Sequence, residues 1–167
     1  MNLVLIGMPG AGKSTVGVVL AKALNYGFLD SDLVIQKQTG RLLHEIIDEQ
    51  GVAAFLETEN RIVSSIQAEN CVIATGGSVI YGREAMEELR KDGFVIYLRL
   101  CPQELERRIC NLATRGIAMQ KNQTIAELYR ERAPLYERYA DAVIEADGCS
   151  LEAVLAKIID LVKKQSF

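Results

Sequence analysis

The chain has 167 residues, 49% of them hydrophobic and 25% charged. That is the composition of one globular domain over 1–167, since domains usually hold roughly 100 to 200 residues, and it excludes disordered and fibrous classes. Its 19 Lys and Arg against 22 Asp and Glu leave a net charge of −3, without the basic excess of a nucleic-acid binder, so small-molecule chemistry moves forward.

The first apolar run, residues 3–6, has no basic flank and is stopped by Gly7, so it reads as a strand rather than a leader. Val16, Val19, Leu20, Ala23 and Leu24 follow at helical spacing and predict an amphipathic helix with those residues on its core face. A second short run at 28–29 precedes Asp30-Ser31-Asp32 and a helix beginning Leu33-Val34-Ile35, for which Ser31 or Asp32 is a candidate N-cap. Phe55, Ile62, Val63 and Ile66 share a face of the next helix. Continuous apolar runs recur at 71–74, 94–98 and 142–144, as in strands buried on both faces. Between the last two lies 112–123, which has no sustained period and is long enough to close over a site as a lid, with an ordinary surface loop as the plain alternative that length alone favours. Thr124 and Glu127 form a capping-box pair, Pro134 is expected to end or kink the helix they start, and Ser150 is placed to cap a final helix carrying Leu151, Val154, Leu155, Ile158, Ile159 and Val162. Alternating strand and helix implies a parallel α/β sheet covered on both faces.

No apolar stretch nears the ~18 residues of a membrane span. Cys71, Cys101, Cys110 and Cys149 form no CxxC pair and His44 is the sole imidazole, which argues against a zinc ribbon or finger. A reduced, cytoplasmic protein with free buried thiols is expected.

Gly7-Met8-Pro9-Gly10-Ala11-Gly12-Lys13-Ser14 matches GxxxxGK[ST] between the first strand and first helix, the context that this phosphate-binding loop requires. Glycines let successive N–H groups turn toward a phosphate, and a helix N-terminus adds partial positive charge. Lys13, read as an exposed loop residue, would reach the β- and γ-phosphates; Ser14 offers a hydroxyl to Mg²⁺, an oxygen-seeking ion. Asp30 and Asp32, two apart at the end of an extended segment, would point their carboxylates the same way, toward the carboxyl edge of the sheet. Gly76-Gly77-Ser78 follows the third strand, where missing side chains admit a ligand close to backbone. Arg107, Arg108, Arg115 and Arg132 are candidates for phosphate or carboxylate, each with a solvated helix face as the plain alternative.

GMPGAGKST at 7–15, LDSD at 29–32, TGR at 39–41, TGG at 75–77 and ERAPLYERYAD at 131–141 together resemble the shikimate kinase family of P-loop small-molecule kinases, over essentially the whole chain. The resemblance implies a five-stranded parallel sheet of order 2-3-1-4-5 and ATP- and Mg²⁺-dependent transfer of phosphate to a hydroxyl of shikimate. A monomer that binds neither nucleic acid nor membrane is expected. The resemblance also implies Lys13, Asp32 and Arg115 as catalytic residues and Ser14 and Asp30 for the metal. For nucleotide it implies Gly7, Gly10, Ala11, Gly12, Thr15 and Arg108, with the loop at 147–150 near adenine. For the acceptor it implies Asp32, Glu59, Gly76, Gly77 and Arg132. Two positions depart from the family pattern. Leu56 stands where FRxxE has a second carboxylate-binding arginine, with the acid kept as Glu59, and the lid's usual RPLL reads Arg115-Gly116-Ile117-Ala118. A Glu59 without that arginine is a candidate partner for an ammonium group, which makes a hydroxy amino acid such as homoserine the alternative acceptor. A GTPase is the rival on the shared loop, but Asp48-Glu49-Gln50-Gly51 lies in a helical pattern and no NKxD motif occurs. A catalytically silent nucleotide-binding module is the third reading.

Overall fold

The computed structural model describes residues 1–109 and 116–165. In chain order it runs β1 (Asn2–Ile6), α1 (Lys13–Leu24), β2 (Gly27–Asp30), α2 (Ser31–Thr39), α3 (Leu43–Val63), β3 (Cys71–Ala74), a short 3-10 turn (Val79–Tyr81), α4 (Arg83–Lys91), β4 (Gly93–Arg99), α5 (Pro102–Ile109), α6 (Ile125–Tyr139), β5 (Ala142–Glu145) and α7 (Leu151–Lys164). The strands form one sheet in the order β2-β3-β1-β4-β5, with every pairing parallel. No helix among the described residues is long and apolar enough to cross a membrane.

Central position decides which strands bury both faces. All five residues of β1 and all four of β3 are buried, and β4 is buried from Val95 to Leu98. The edge strands differ from the expectation: Gly27 and Phe28 of β2, and Val143 and Glu145 of β5, are exposed. An edge strand has a neighbour on one side only, so apolar content overstated its burial.

Helix α1 is also turned relative to its apolar pattern. It buries Lys13, Val16, Gly17, Leu20 and Ala21, while Val19 is 36% exposed and Ala23 faces solvent. Closeness to the sheet is the cause. A methyl at Gly17 would lie 2.7 Å from Phe28 Cε2, so small residues, not bulky ones, mark the contact face.

The end signals hold. Thr124 and Glu127 form a reciprocal capping box, and Ser150 Oγ accepts from the Ala153 amide. Helix α6 nevertheless continues five residues past Pro134 to Tyr139. Proline removes one ladder donor, a local loss, and Leu128, Arg132 and Tyr136 anchor the helix on both sides of it. Asp48 to Gly51, the rival GTPase motif, lies inside α3, where Gly51 (φ 85°, ψ 166°) makes a kink.

Parallel register brings the carboxyl ends of β1, β2 and β3 side by side. Leu5 and Asp30 both pair with Ala74, so the loops after these three strands converge at one edge.

Candidate functional site

The loop between β1 and α1 is shaped by three glycines at positive φ, Gly7 (146°), Gly10 (83°) and Gly12 (87°). Gly7 is the tightest: a methyl there would meet Leu98 O at 2.7 Å. Lys13 begins α1, and because helical side chains lean toward the N-terminus it folds back over its own loop. Its Nζ donates to Gly7 O at 2.8 Å and Met8 O at 2.9 Å. Only 7% of Lys13 is exposed, which corrects the expectation of an exposed loop lysine. Burial lowers its pKa from 10.5 to about 8, against the pull of Asp32. An arriving phosphate would restore the favoured charge.

Asp30 ends β2 and caps α2. Its Oδ1 accepts from the Asp32 amide at 3.0 Å, and its Oδ2 accepts from Ser14 Oγ at 2.6 Å. The helix therefore starts at Ser31, one residue earlier than a Ser31 cap and two earlier than an Asp32 cap would give, and the alternation argument for paired carboxylates fails at Asp32, which is helical. The two acids still serve one site with different partners. Asp30 is tied to the hydroxyl of Ser14, whereas Asp32 lines the adjoining cavity.

On the far wall, Gly76 and Gly77 follow β3. A methyl on Gly76 would lie 2.5 Å from Glu59 Oε1 and 2.7 Å from Asp32 Oδ1; one on Gly77 would lie 2.7 Å from Pro9 Cδ. Two carboxylates thus close on one α-carbon. Glu59 is 2% exposed, and its Oε2 accepts from Ser78 Oγ at 2.6 Å. Burial raises its pKa from 4.5 to about 7, with Asp32 adding to the rise and Ser78, Arg132 and Lys13 opposing it. The cavity is lined by Asp32, Gly76, Gly77, Ser78 and Arg132 but not by Glu59, whose Oε1 lies buried beside Gly76 with no hydrogen-bond partner among the described residues. Gly76→Ala is expected to displace one of the carboxylates and lower kcat by tenfold or more, since forcing a methyl into a packed site costs about 1–3 kcal/mol. Unchanged turnover would show that neither carboxylate needs its present place.

Arg132 lies on the buried stripe of α6 and is only 1% exposed. Its Nη2 donates to the Ala118 carbonyl, and its Nε donates to the Tyr81 hydroxyl at 3.3 Å. Tyr136, one turn later, donates its hydroxyl to Gly77 O and stacks on Tyr97 with ring centroids 5.0 Å apart. Sequence reasoning named Pro9 and Ser78 only as members of their motifs and gave no role to Tyr81 or Tyr136, whose contacts run across elements.

The cavity at this edge holds about 380 Å³ and is lined by Gly10, Gly12, Lys13, Ser14, Thr15, Asp32, Gly76, Gly77, Arg108 and Arg132, with Gly116, Ile117 and Ala118. A second cavity of about 250 Å³ is lined by Ala11, Gly12, Thr15, Arg108 and, after β5, Ala146, Cys149, Leu151 and Val154. Arg108, held by Glu104 at 3.0 Å, stands between the two. Arg107 turns outward to Glu104. Arg115, the first four residues of the expected lid and Cys110 lie outside the described residues. Of the other cysteines Cys71 is buried, while Cys101 and Cys149 are half-buried, so burial of every thiol was too strong an expectation.

The family model for shikimate kinase matches residues 9–163. The shikimate kinase of Thermodesulfovibrio yellowstonii is 38% identical over 161 residues, covering 95% of this chain and 92% of that one. A structure of shikimate kinase from Acinetobacter baumannii in complex with shikimate superposes with a TM-score of 0.88 at 32% identity, over 99% of this chain and 94% of that one. The Aquifex aeolicus shikimate kinase gives a TM-score of 0.82 at 27% identity, covering 100% of this chain and 99% of that one. Match, coverage and fold agree along the chain, and it belongs to the shikimate kinase family, ATP-dependent kinases of a small molecule.

Proposed function

We propose that this protein transfers the γ-phosphoryl group of ATP to a hydroxyl of shikimate, giving shikimate 3-phosphate. The carrying observation is the convergence of Lys13, Asp32 and Arg132 on one cavity that Gly116 and Ala118 also line. The phosphate loop would seat the β- and γ-phosphates, with Lys13 turning from its own carbonyls to the nucleotide. The second cavity, beside Arg108 and Cys149, is suited to the base. Ser14 Oγ and Asp30 Oδ2 are hard oxygen donors 2.6 Å apart, a pair that fits Mg²⁺, which keeps several waters and needs few protein ligands; bound there, the ion would neutralise phosphate charge.

Phosphoryl transfer proceeds through a loose transition state, so the protein's task is positioning and charge stabilisation. Asp32 would orient the acceptor hydroxyl and take its proton late. Arg132 would hold the acceptor carboxylate, and Arg115 would approach the transferred group as the lid excludes water. An amino-acid acceptor would have to reach Glu59 through the Gly76 wall, since Glu59 does not line the cavity.

The test is ADP release by purified protein with ATP and Mg²⁺ plus either shikimate or homoserine. Turnover of shikimate with kcat/KM at least a hundredfold above homoserine is the expected result. Preference for homoserine would overturn the acceptor assignment, and ADP release unaffected by both would overturn the kinase reading.

A further inference from the structure

Tyr81, at the end of the 3-10 turn after the Gly76-Gly77 loop, packs on Arg132. Its ring lies against the guanidinium, with Arg132 Cζ 5.3 Å from the ring centroid, and its hydroxyl oxygen accepts from Arg132 Nε at 3.3 Å. The hydroxyl proton is in turn donated to Glu131 Oε1. Glu131 is steadied by Gln123 Nε2, which donates to Oε2 at 2.9 Å. With its proton committed to Glu131, the phenol oxygen can only accept from Arg132. The guanidinium is thus held by the ring and the hydroxyl of Tyr81, while Ala118 O takes one Nη2 proton. Among the described residues the Nη1 side has no protein acceptor, and Arg132 lines the cavity.

We propose that Tyr81 is a positioning residue that determines specificity for a carboxylate-bearing acceptor, by presenting the Nη1 edge of Arg132 in one fixed orientation. The inference rests on the acceptor assignment made above and deepens it. Leu56 is a half-buried core-packing residue absent from the cavity wall, so no second arginine stands beside Arg132 at that position. A free arginine must give up several rotatable bonds to make a two-pronged contact, whereas a guanidinium already held in plane loses little on binding. Tyr81 does not line the cavity; it acts through Arg132. The ring and the hydroxyl contribute separately, so Tyr81→Phe and Tyr81→Leu are distinct probes.

Steady-state kinetics of wild type, Tyr81→Phe and Tyr81→Leu with shikimate, and with its carboxamide, which keeps the ring and hydroxyls but carries no charge, test the proposal. Tyr81→Phe is expected to raise KM for shikimate about tenfold, the worth of one hydrogen bond to a charged group, with kcat within about twofold. KM for ATP should not move. Tyr81→Leu should raise KM for shikimate further, because the ring is lost too. With the carboxamide, Tyr81→Phe should change kcat/KM by less than about twofold, because the contact being tuned is made to charge. Equal losses with both acceptors, or a parallel rise in KM for ATP, would mean a general structural role and overturn the proposal while leaving the function intact. A wild-type enzyme that phosphorylates neither acceptor would overturn the acceptor assignment and the Tyr81 role together.

Discussion

Lys13→Met is expected to lower phosphoryl transfer by at least ~10²–10³-fold while leaving the fold in place. That range is the cost of deleting one preorganised donor to developing charge, and Lys13 supplies a full charge. Stability should change little, for offsetting reasons. Burial holds the lysine pKa near 8, below its ordinary 10.5, so at neutral pH the folded protein bears the whole cost of a desolvated ammonium. The unfolded chain keeps its proton up to the higher pKa, so the wild type gains stability as pH rises from about 8 to 10.5. Methionine removes that cost but leaves the carbonyls of Gly7 and Met8 without the Nζ donor, a loss of about 1–3 kcal/mol for each one left unsatisfied. Thermal unfolding at pH 7 together with ADP release separates the two effects. Near-normal turnover in a folded variant would sink the assignment of the loop to phosphate; loss of the cooperative transition would show that the lysine is needed for folding.

Local chemistry was the legible part of this chain. The glycine loop, the Thr124 and Ser150 N-caps and the run of apolar segments could be read because each depends on residues within a few positions of one another. Sheet order came from family resemblance, not from periodicity. Most of the failures come from contacts that bring distant segments together, and the one at Asp32 from a local cap. Asp32 was placed by a strand's alternation, but Asp30 accepts the Asp32 amide and starts a helix sooner, so the carboxylate reaches the cavity from a helical turn. Gly17 faces the sheet in place of Val19 because a ring from β2 leaves room for hydrogen only. Glu59 is separated from Ser78 by 19 positions and Tyr136 from Gly77 by 59, and nothing in spacing along the chain pairs them. One clue was available: Arg132 sits four residues after Leu128 and four before Tyr136 on a buried face. A charged residue in the middle of such a stripe is a sign of a functional or ion-paired position.

Glu59→Gln is expected to become more stable relative to the wild type as pH rises from about 5 to 8. Burial lifts the native pKa of Glu59 to about 7 from an ordinary 4.5. Between those values the folded state binds a proton that the unfolded state has released, so wild-type stability falls as pH climbs through the interval. Above pH 7 both states are ionised and the full cost, about 3 kcal/mol as an upper figure, is present. Glutamine is neutral throughout and carries no such dependence. It can keep the bond from Ser78 through its carbonyl oxygen, while its amide group must find acceptors beside Gly76 and Asp32, so it starts from an offset of about 1–3 kcal/mol at low pH. The decisive quantity is the change in that offset, read from urea unfolding of both proteins at pH 5 and pH 8. A swing of about 2–3 kcal/mol toward Glu59→Gln at the higher pH would establish a carboxyl that is protonated in the fold at mildly acid pH. An offset that is the same at both values would mean that Lys13 and Arg132 keep Glu59 ionised across the range.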